Sequence, residues 1–165
     1  MVMGEWCSAK DLELLRITRT GAKMTTKYRV LFICTANAAR SQMAEGLLRA
    51  KYGERYEVFS AGTCQANVSA RAITVMQEIG IDISHHRSKT LTEYGGTFFD
   101  LAVTLCDNAH ALCPVVSGAK KTIHYGFPDP HLTHGSDEDV LEGYRNVRDM
   151  ITIWSDTVFG KSTPK

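Results

Sequence analysis

Tyr28-Arg-Val-Leu-Phe-Ile-Cys34-Thr-Ala-Asn-Ala-Ala-Arg40-Ser-Gln-Met-Ala-Glu-Gly46 is the stretch on which the reading of the fold turns. Tyr28 to Ile33 is a β-branched and aromatic run of strand length. Cys34 to Arg40 is a loop of small and polar residues. Ser41 to Tyr52 then sets Met43, Ala44, Leu47, Leu48 and Lys51 at helical spacing, with Gly53 as the stop. Strand, small-residue loop and helix follow one another without a spacer.

The same alternation continues outward. Tyr56 to Ser60 reads as a second strand, Asn67 to Ile79 as a helix ended by Gly80, Leu101 to Leu105 as a buried strand, and Thr122 to Tyr125 as a fourth. Ser136 opens a last helix as its N-cap, with Asp137, Glu138 and Asp139 at the positive helix end. Its apolar positions Val140, Leu141, Tyr144, Val147, Ile151 and Trp154 recur at helical steps. Strands alternating with helices predict an α/β fold: a single-domain doubly wound sheet of four parallel strands with flanking helices over residues 28–160. Ligands of such sheets bind beyond the carboxyl ends of the strands. Cys34 and Cys106 each come directly after a strand, so both are expected at that edge. Residues 1–27 are polar and mixed in charge, with a second candidate start at Met24, and read as a disordered extension or a misplaced start.

Composition narrows the function. Nineteen Lys and Arg against eighteen Asp and Glu leave a formal charge of +1, which points away from a nucleic-acid or membrane-surface protein. Any anion must therefore meet a local site. Apolar runs such as Val30 to Cys34 are far too short to span a bilayer, and the N-terminus lacks a secretory h-region, so a cytoplasmic chain is expected. Five cysteines in that compartment read as free thiols, metal ligands or redox groups rather than a disulfide framework.

The loop Thr35, Ala36, Asn37, Ala38, Ala39, Arg40, Ser41 has the chemistry of an oxyanion cradle. Small side chains let successive backbone N–H groups converge on a tetrahedral anion, and the helix N-terminus behind them adds partial positive charge. Arg40 can clamp two oxygens in a bidentate fork. The same field favours a thiolate at Cys34, and Ser41 can hydrogen-bond its sulfur. A cysteine six residues before an arginine also arises by chance, and a cysteine at a strand end is often packing. The flanking strand, loop and helix favour the nucleophile. Phe127-Pro-Asp129-Pro130 is a stiffened Asp loop that, on its own, reads as a turn. Cys106 and Cys113 lie seven residues apart, about 10 Å along a helix. Disulfide bonding needs Cα atoms within about 7 Å, so pairing them requires the segment to unwind, which Pro114 assists. Inert packing is the second reading of this pair and a metal site with His110 a distant third. Cys7 and Cys64 read as incidental. His85-His86 and His131/His134 read as exposed loop histidines, and no metal site is expected.

Val30 to Gly46 closely resembles the signature loop of the low-molecular-weight tyrosine phosphatases and of the arsenate reductases related to them. Phe59-Ser-Ala-Gly-Thr63, Ile79-Gly-Ile-Asp-Ile-Ser84 and Ser88-Lys89 resemble the same family, over about residues 28–156. Gln42 and Gly46 resemble the reductase branch. The resemblance implies that Asp129 is a general acid. His131-Leu-Thr-His134 stands where the phosphatases place tyrosines, which argues against a phosphotyrosine substrate. The spacing of Cys106 and Cys113, with Pro114, resembles the thioredoxin-coupled reductases. That likeness implies a relay in which Cys34 attacks arsenate, Cys106 attacks the adduct, and Cys113 moves the disulfide to Cys106–Cys113 for thioredoxin to reduce. Arsenate is then the substrate, phosphate and sulfate its analogues, thioredoxin the electron donor, and no cofactor is bound. Some relatives hold a potassium ion near the loop Asn. Lys89 stands where an acidic ligand is expected, so its ammonium is read as replacing the ion and orienting Asn37 and Ser60. A monomer is expected. Rival readings are a phosphatase acting on phosphomonoesters, a reductase resolved by mycothiol or glutathione, and a non-catalytic oxyanion or redox sensor.

Overall fold

The computed structural model describes residues 27–106 and 116–161. Residues 1–26 of the N-terminal extension, Cys7 among them, and the segment after Cys106 that carries His110, Cys113 and Pro114 lie outside the described residues.

β1 (Tyr28–Cys34), β2 (Tyr56–Gly62), β3 (Phe99–Cys106) and β4 (Ala119–Phe127) form one parallel sheet in the order β2-β1-β3-β4. Among the described residues three helices accompany it: α1 (Arg40–Tyr52), α2 (Ala70–Gln77) and α3 (Asp137–Phe159). The two central strands are the continuous apolar runs, as strands buried on both faces must be. Alternate residues of β1 point to opposite sides. Val30 and Phe32 join Leu101, Val103 and Leu105 beneath α1, α2 and α3, where Met43, Leu47, Met76, Tyr144, Ile151 and Trp154 close the main core. Leu31 and Ile33 join Ala61, Phe99 and Ala102 in a smaller core on the opposite face, covered by Leu91, Tyr94 and Val116.

The register puts Ile33 beside Thr104 and Val30 beside Leu101, so β1 and β3 end side by side. The chain leaves β1 towards β2 on one side and reaches β3 on the other. The crevice between the ends of β1 and β3 is therefore the switch point at which doubly wound sheets bind ligands.

The elements differ from the sequence reading mostly at their ends. α2 starts at Ala70, not Asn67, because Ser69 supplies the cap by accepting from Ala72 N–H. β4 runs from Ala119 to Phe127, longer than Thr122 to Tyr125; it is an edge strand with half-exposed residues, so its polar ends carry no apolar signal. α3 opens on a capping box in which Ser136 and Asp139 satisfy each other's backbone N–H groups. Leu91–Tyr94 forms a short 3-10 turn that was not expected from the sequence, and Pro130–Leu132 forms another directly after Asp129, in the loop that reads as a turn.

Candidate active site

The loop after β1 is held by its carbonyl groups. Thr35 O accepts from Cys64 N (3.0 Å), Ala36 O from Ser88 Oγ (3.0 Å), Asn37 O from Gln42 Nε2 (2.9 Å) and Ala38 O from Ser69 N (2.8 Å). Every one of these carbonyls is turned onto surrounding structure. In a trans peptide the N–H lies opposite the carbonyl, so the N–H groups of Ala36, Asn37, Ala38 and Ala39 face the inside of the loop. The first turn of α1 follows at once, and Ala39 ahead of it makes no side-chain cap bond. The result is a ring of donors at a helix N-terminus, suited to a tetrahedral oxyanion.

Asn37 is the keystone. It is fully buried and has φ +48°, a left-handed conformation that Asn tolerates better than most residues. Its Nδ2 donates to Ser41 Oγ (2.8 Å) and Ser60 Oγ (2.9 Å), while Oδ1 accepts from Gln42 Nε2 (2.8 Å) and the Lys89 backbone N–H (2.8 Å). Gly62 lets β2 approach: a Cβ there would stand 2.7 Å from both Asn37 N and Thr35 O.

Cys34 is buried, and Ser41 Oγ lies 2.9 Å from its sulfur. Because Ser41 Oγ already accepts from Asn37, its own proton is directed at the sulfur. Cys106 lies against Cys34 in a two-residue cluster and is also 3.3 Å from Thr35 Oγ1. The Cys34 thiol is lowered to about 6: the hydrogen bond from Cys106 leads, the Ser41 hydroxyl and backbone N–H and the Arg40 charge assist, and burial opposes. Cys106 is pushed up, first by that hydrogen bond to Cys34 and then by burial, so it is the member that keeps its proton. The expectation that both cysteines share one strand edge holds, and tertiary packing brings them into contact.

Arg40 is buried, with Nη1 donating to Phe127 O (3.2 Å) and Nη2 to Asp129 Oδ2 (3.0 Å). The other Asp129 oxygen accepts from His131 N (3.0 Å), capping the short turn that begins at Pro130. The Asp129 carboxylate thus overhangs the loop with Arg40 between them. One end of the Arg40 fork rests on Asp129.

Lys89 departs from the reading of its ammonium. The Nζ contacts Glu45 Oε2 (3.4 Å) and Arg87 O (3.1 Å), not Asn37 or Ser60, and it is the backbone N–H that meets Asn37. Glu45 is the member that sequence reasoning missed: it is buried, accepts from Ser60 Oγ and pairs with both Lys89 and Arg49. Two cations, Lys89 and Arg49, therefore face one carboxylate beside Asn37 and Ser60. A buried acid inside a helix otherwise patterned for the core was the available signal. Gln42 was marked only as a branch feature, yet it bridges Asn37, Arg87 O and His86 Nδ1. His86 is accordingly half-buried rather than an exposed loop residue, and burial lowers its pKa. His131 is exposed, as read, and its ring lies on Tyr144 Oη (2.8 Å from Nδ1). Cys64 is exposed, with its thiol 3.4 Å from Thr35 O. Among the described residues no group of three or more His, Cys, Asp or Glu is arranged to hold a metal, and no helix is long and apolar enough to cross a membrane.

The sequence profile of the low molecular weight phosphotyrosine protein phosphatases matches residues 29–159. An arsenate reductase of Halalkalibacterium halodurans is 42% identical over 122 residues, covering 74% of this chain and 88% of that protein. A solved arsenate reductase in a phosphate-binding state superposes with a TM-score of 0.69 at 28% identity, covering 81% of this chain and 97% of its own. A thioredoxin-dependent arsenate reductase of Corynebacterium glutamicum gives a TM-score of 0.60 at 25% identity, covering 90% of this chain and 70% of that one.

Proposed function

The chain belongs to the low molecular weight phosphotyrosine protein phosphatase family, and within it we propose that it is a cytoplasmic arsenate reductase whose three-cysteine relay is recycled by thioredoxin. The observation that carries this reading is Cys106 lying against Cys34. Hydrolysis of a phosphate ester needs a thiolate, an anion cradle and an acid; it has no use for a second thiol on the nucleophile.

The Cys34 thiolate attacks As(V) while Arg40 and the loop N–H groups hold the oxygens, and Asp129 protonates the departing oxygen, which leaves as water. Cys106 then gives up its proton and attacks the Cys34 sulfur. The S–As bond breaks with its electron pair on arsenic, arsenite departs, and a Cys34–Cys106 disulfide forms. Cys113 attacks Cys106 next, freeing Cys34 as thiolate and leaving Cys106–Cys113 for a thioredoxin dithiol. Thr35 to Ser41 bind the anion, and Ser60 and Glu45 brace Asn37. Lys89 neutralises Glu45 from inside the protein, which replaces a bound potassium ion. Thioredoxin is favoured over a small thiol by the Cys106/Cys113 spacing and by the likeness to the thioredoxin-dependent relative.

The test is arsenate-dependent NADPH oxidation with thioredoxin and thioredoxin reductase, comparing the native chain with Cys113→Ser. Turnover lost in the variant supports the relay. Equal turnover in both makes a small thiol the resolving agent, and phosphate-ester hydrolysis without arsenate turnover makes the protein a phosphatase.

A further inference from the structure

Asp129 sits in a loop that follows an edge strand, and the proposed mechanism asks it to stand over the anion and deliver a proton. What holds it there is a hydrogen-bonded line through three separate elements. At one end Ser69 N donates to Ala38 O of the anion loop (2.8 Å). Ser69 Oγ donates to Tyr144 Oη (3.1 Å), and Tyr144 Oη lies 2.8 Å from His131 Nδ1, with the two rings edge to face at 5.6 Å. The backbone N–H of His131 donates to Asp129 Oδ1 (3.0 Å). The residue whose ring Tyr144 grips is the residue whose N–H aims the carboxylate.

The polarity of the line is consistent. Ser69 Oγ accepts from Ala72 N–H and gives its proton to Tyr144, so the Tyr144 proton is free to go to an unprotonated His131 Nδ1. Tyr144 is fully buried, and its hydroxyl would be left unsatisfied without these partners.

A second feature of α3 points the same way. Gly143, inside that helix, faces Thr133 at the end of the acid loop; a Cβ there would come within 2.3 Å of Thr133 Oγ1 and 2.8 Å of its methyl carbon. Glycine in a helix interior is unfavourable relative to alanine. Here it lets the acid loop rest directly on α3, one residue from Tyr144.

Resting on the reading of Asp129 as general acid, we propose that Ser69, Tyr144 and His131 are positioning residues, a strut that fixes Asp129 relative to the anion loop. They touch no reacting atom. Their effect is to keep the carboxyl oxygen in place over the anion loop.

The test is the first turnover of the fully reduced full-length protein mixed with arsenate, followed by thiol loss, so that no external reductant enters. Tyr144→Phe and His131→Ala are each expected to slow that turnover at saturating arsenate by about tenfold, as small misplacement of a reacting group does, with half-saturation by arsenate and affinity for inorganic phosphate unchanged. His131→Asn, whose amide oxygen can take the Tyr144 proton, is expected to restore most of the rate. On an Asp129→Asn background neither change should slow the reaction further, since there is no acid left to position. The same loss on both backgrounds, or no loss on either, would overturn the strut while leaving Asp129 as the acid. Full activity of Asp129→Asn alone would overturn the acid itself, and the strut with it.

Discussion

The loop after β1 and the loop after β4 both serve the crevice at the carboxyl edge of the sheet, yet they are fixed in opposite ways. The first is tied by its carbonyls to Cys64, Ser88, Gln42 and Ser69, with the buried Asn37 side chain bonded on every side. The second reaches the site through an ion pair with Arg40, a short turn at Pro130 and one buried tyrosine. Donors that stabilise charge work best when set beforehand, because no reorganisation is then needed as the charge develops. An acid that must deliver a proton works from a support that holds it over the anion while leaving its carboxyl group free to exchange.

Removing the nucleophile breaks the comparison altogether. Cys34→Ser is expected to cut arsenate turnover more than about a thousandfold while phosphate still binds, since the cradle is separate from the thiolate; measurable turnover would place the chemistry elsewhere. Asp129→Asn should lower kcat about a hundredfold or more with little change in KM. A rise in KM alone would make Asp129 a binding group.

Stability separates the two loops. Asn37→Ala strands Gln42 and Ser60 in the interior and is expected to cost about 1–3 kcal/mol in urea unfolding, whereas His131→Ala should cost under about 1 kcal/mol. Equal costs would erase the contrast.

The ionisation of Cys34 gives a finer measure. Its alkylation rate should climb as pH rises through about 6 and level off above, because the thiolate is the reactive form. In Cys106→Ala the lost hydrogen bond no longer favours the thiolate, so the midpoint should move upward; an unchanged midpoint would mean that Ser41 and Arg40 suffice. The smallest expected effect is that of potassium. Replacing sodium by potassium should leave turnover within about twofold, because Glu45 already holds two cations. Strong activation would show that Lys89 leaves the site short of charge.

Much of this was legible in advance. Strand, loop and helix around Cys34 could be read because periodicity and small-residue content accumulate over contiguous residues. The strand order, the Leu91–Tyr94 turn and the starts of α2 and β4 could not. α2 begins at Ala70, behind the Ser69 cap, rather than at Asn67, because a cap depends on one side chain reaching one N–H, a contact that periodicity does not register. Glu45 and Tyr144 were hidden for a related reason: in the sequence they are ordinary residues of amphipathic helices.

The sequence by itself determined the parallel α/β scaffold, the position of the anion loop between a strand and a helix, and the two thiols at one edge. Only the tertiary structure decided that Cys106 touches Cys34, that Lys89 meets Glu45 rather than Asn37 through its ammonium, and that Ser69, Tyr144 and His131 line up behind Asp129. Elements follow from local preference and hydrophobic period. Contacts between side chains from remote segments exist only once sheet register and helix packing have fixed their separation, and no local pattern encodes that distance.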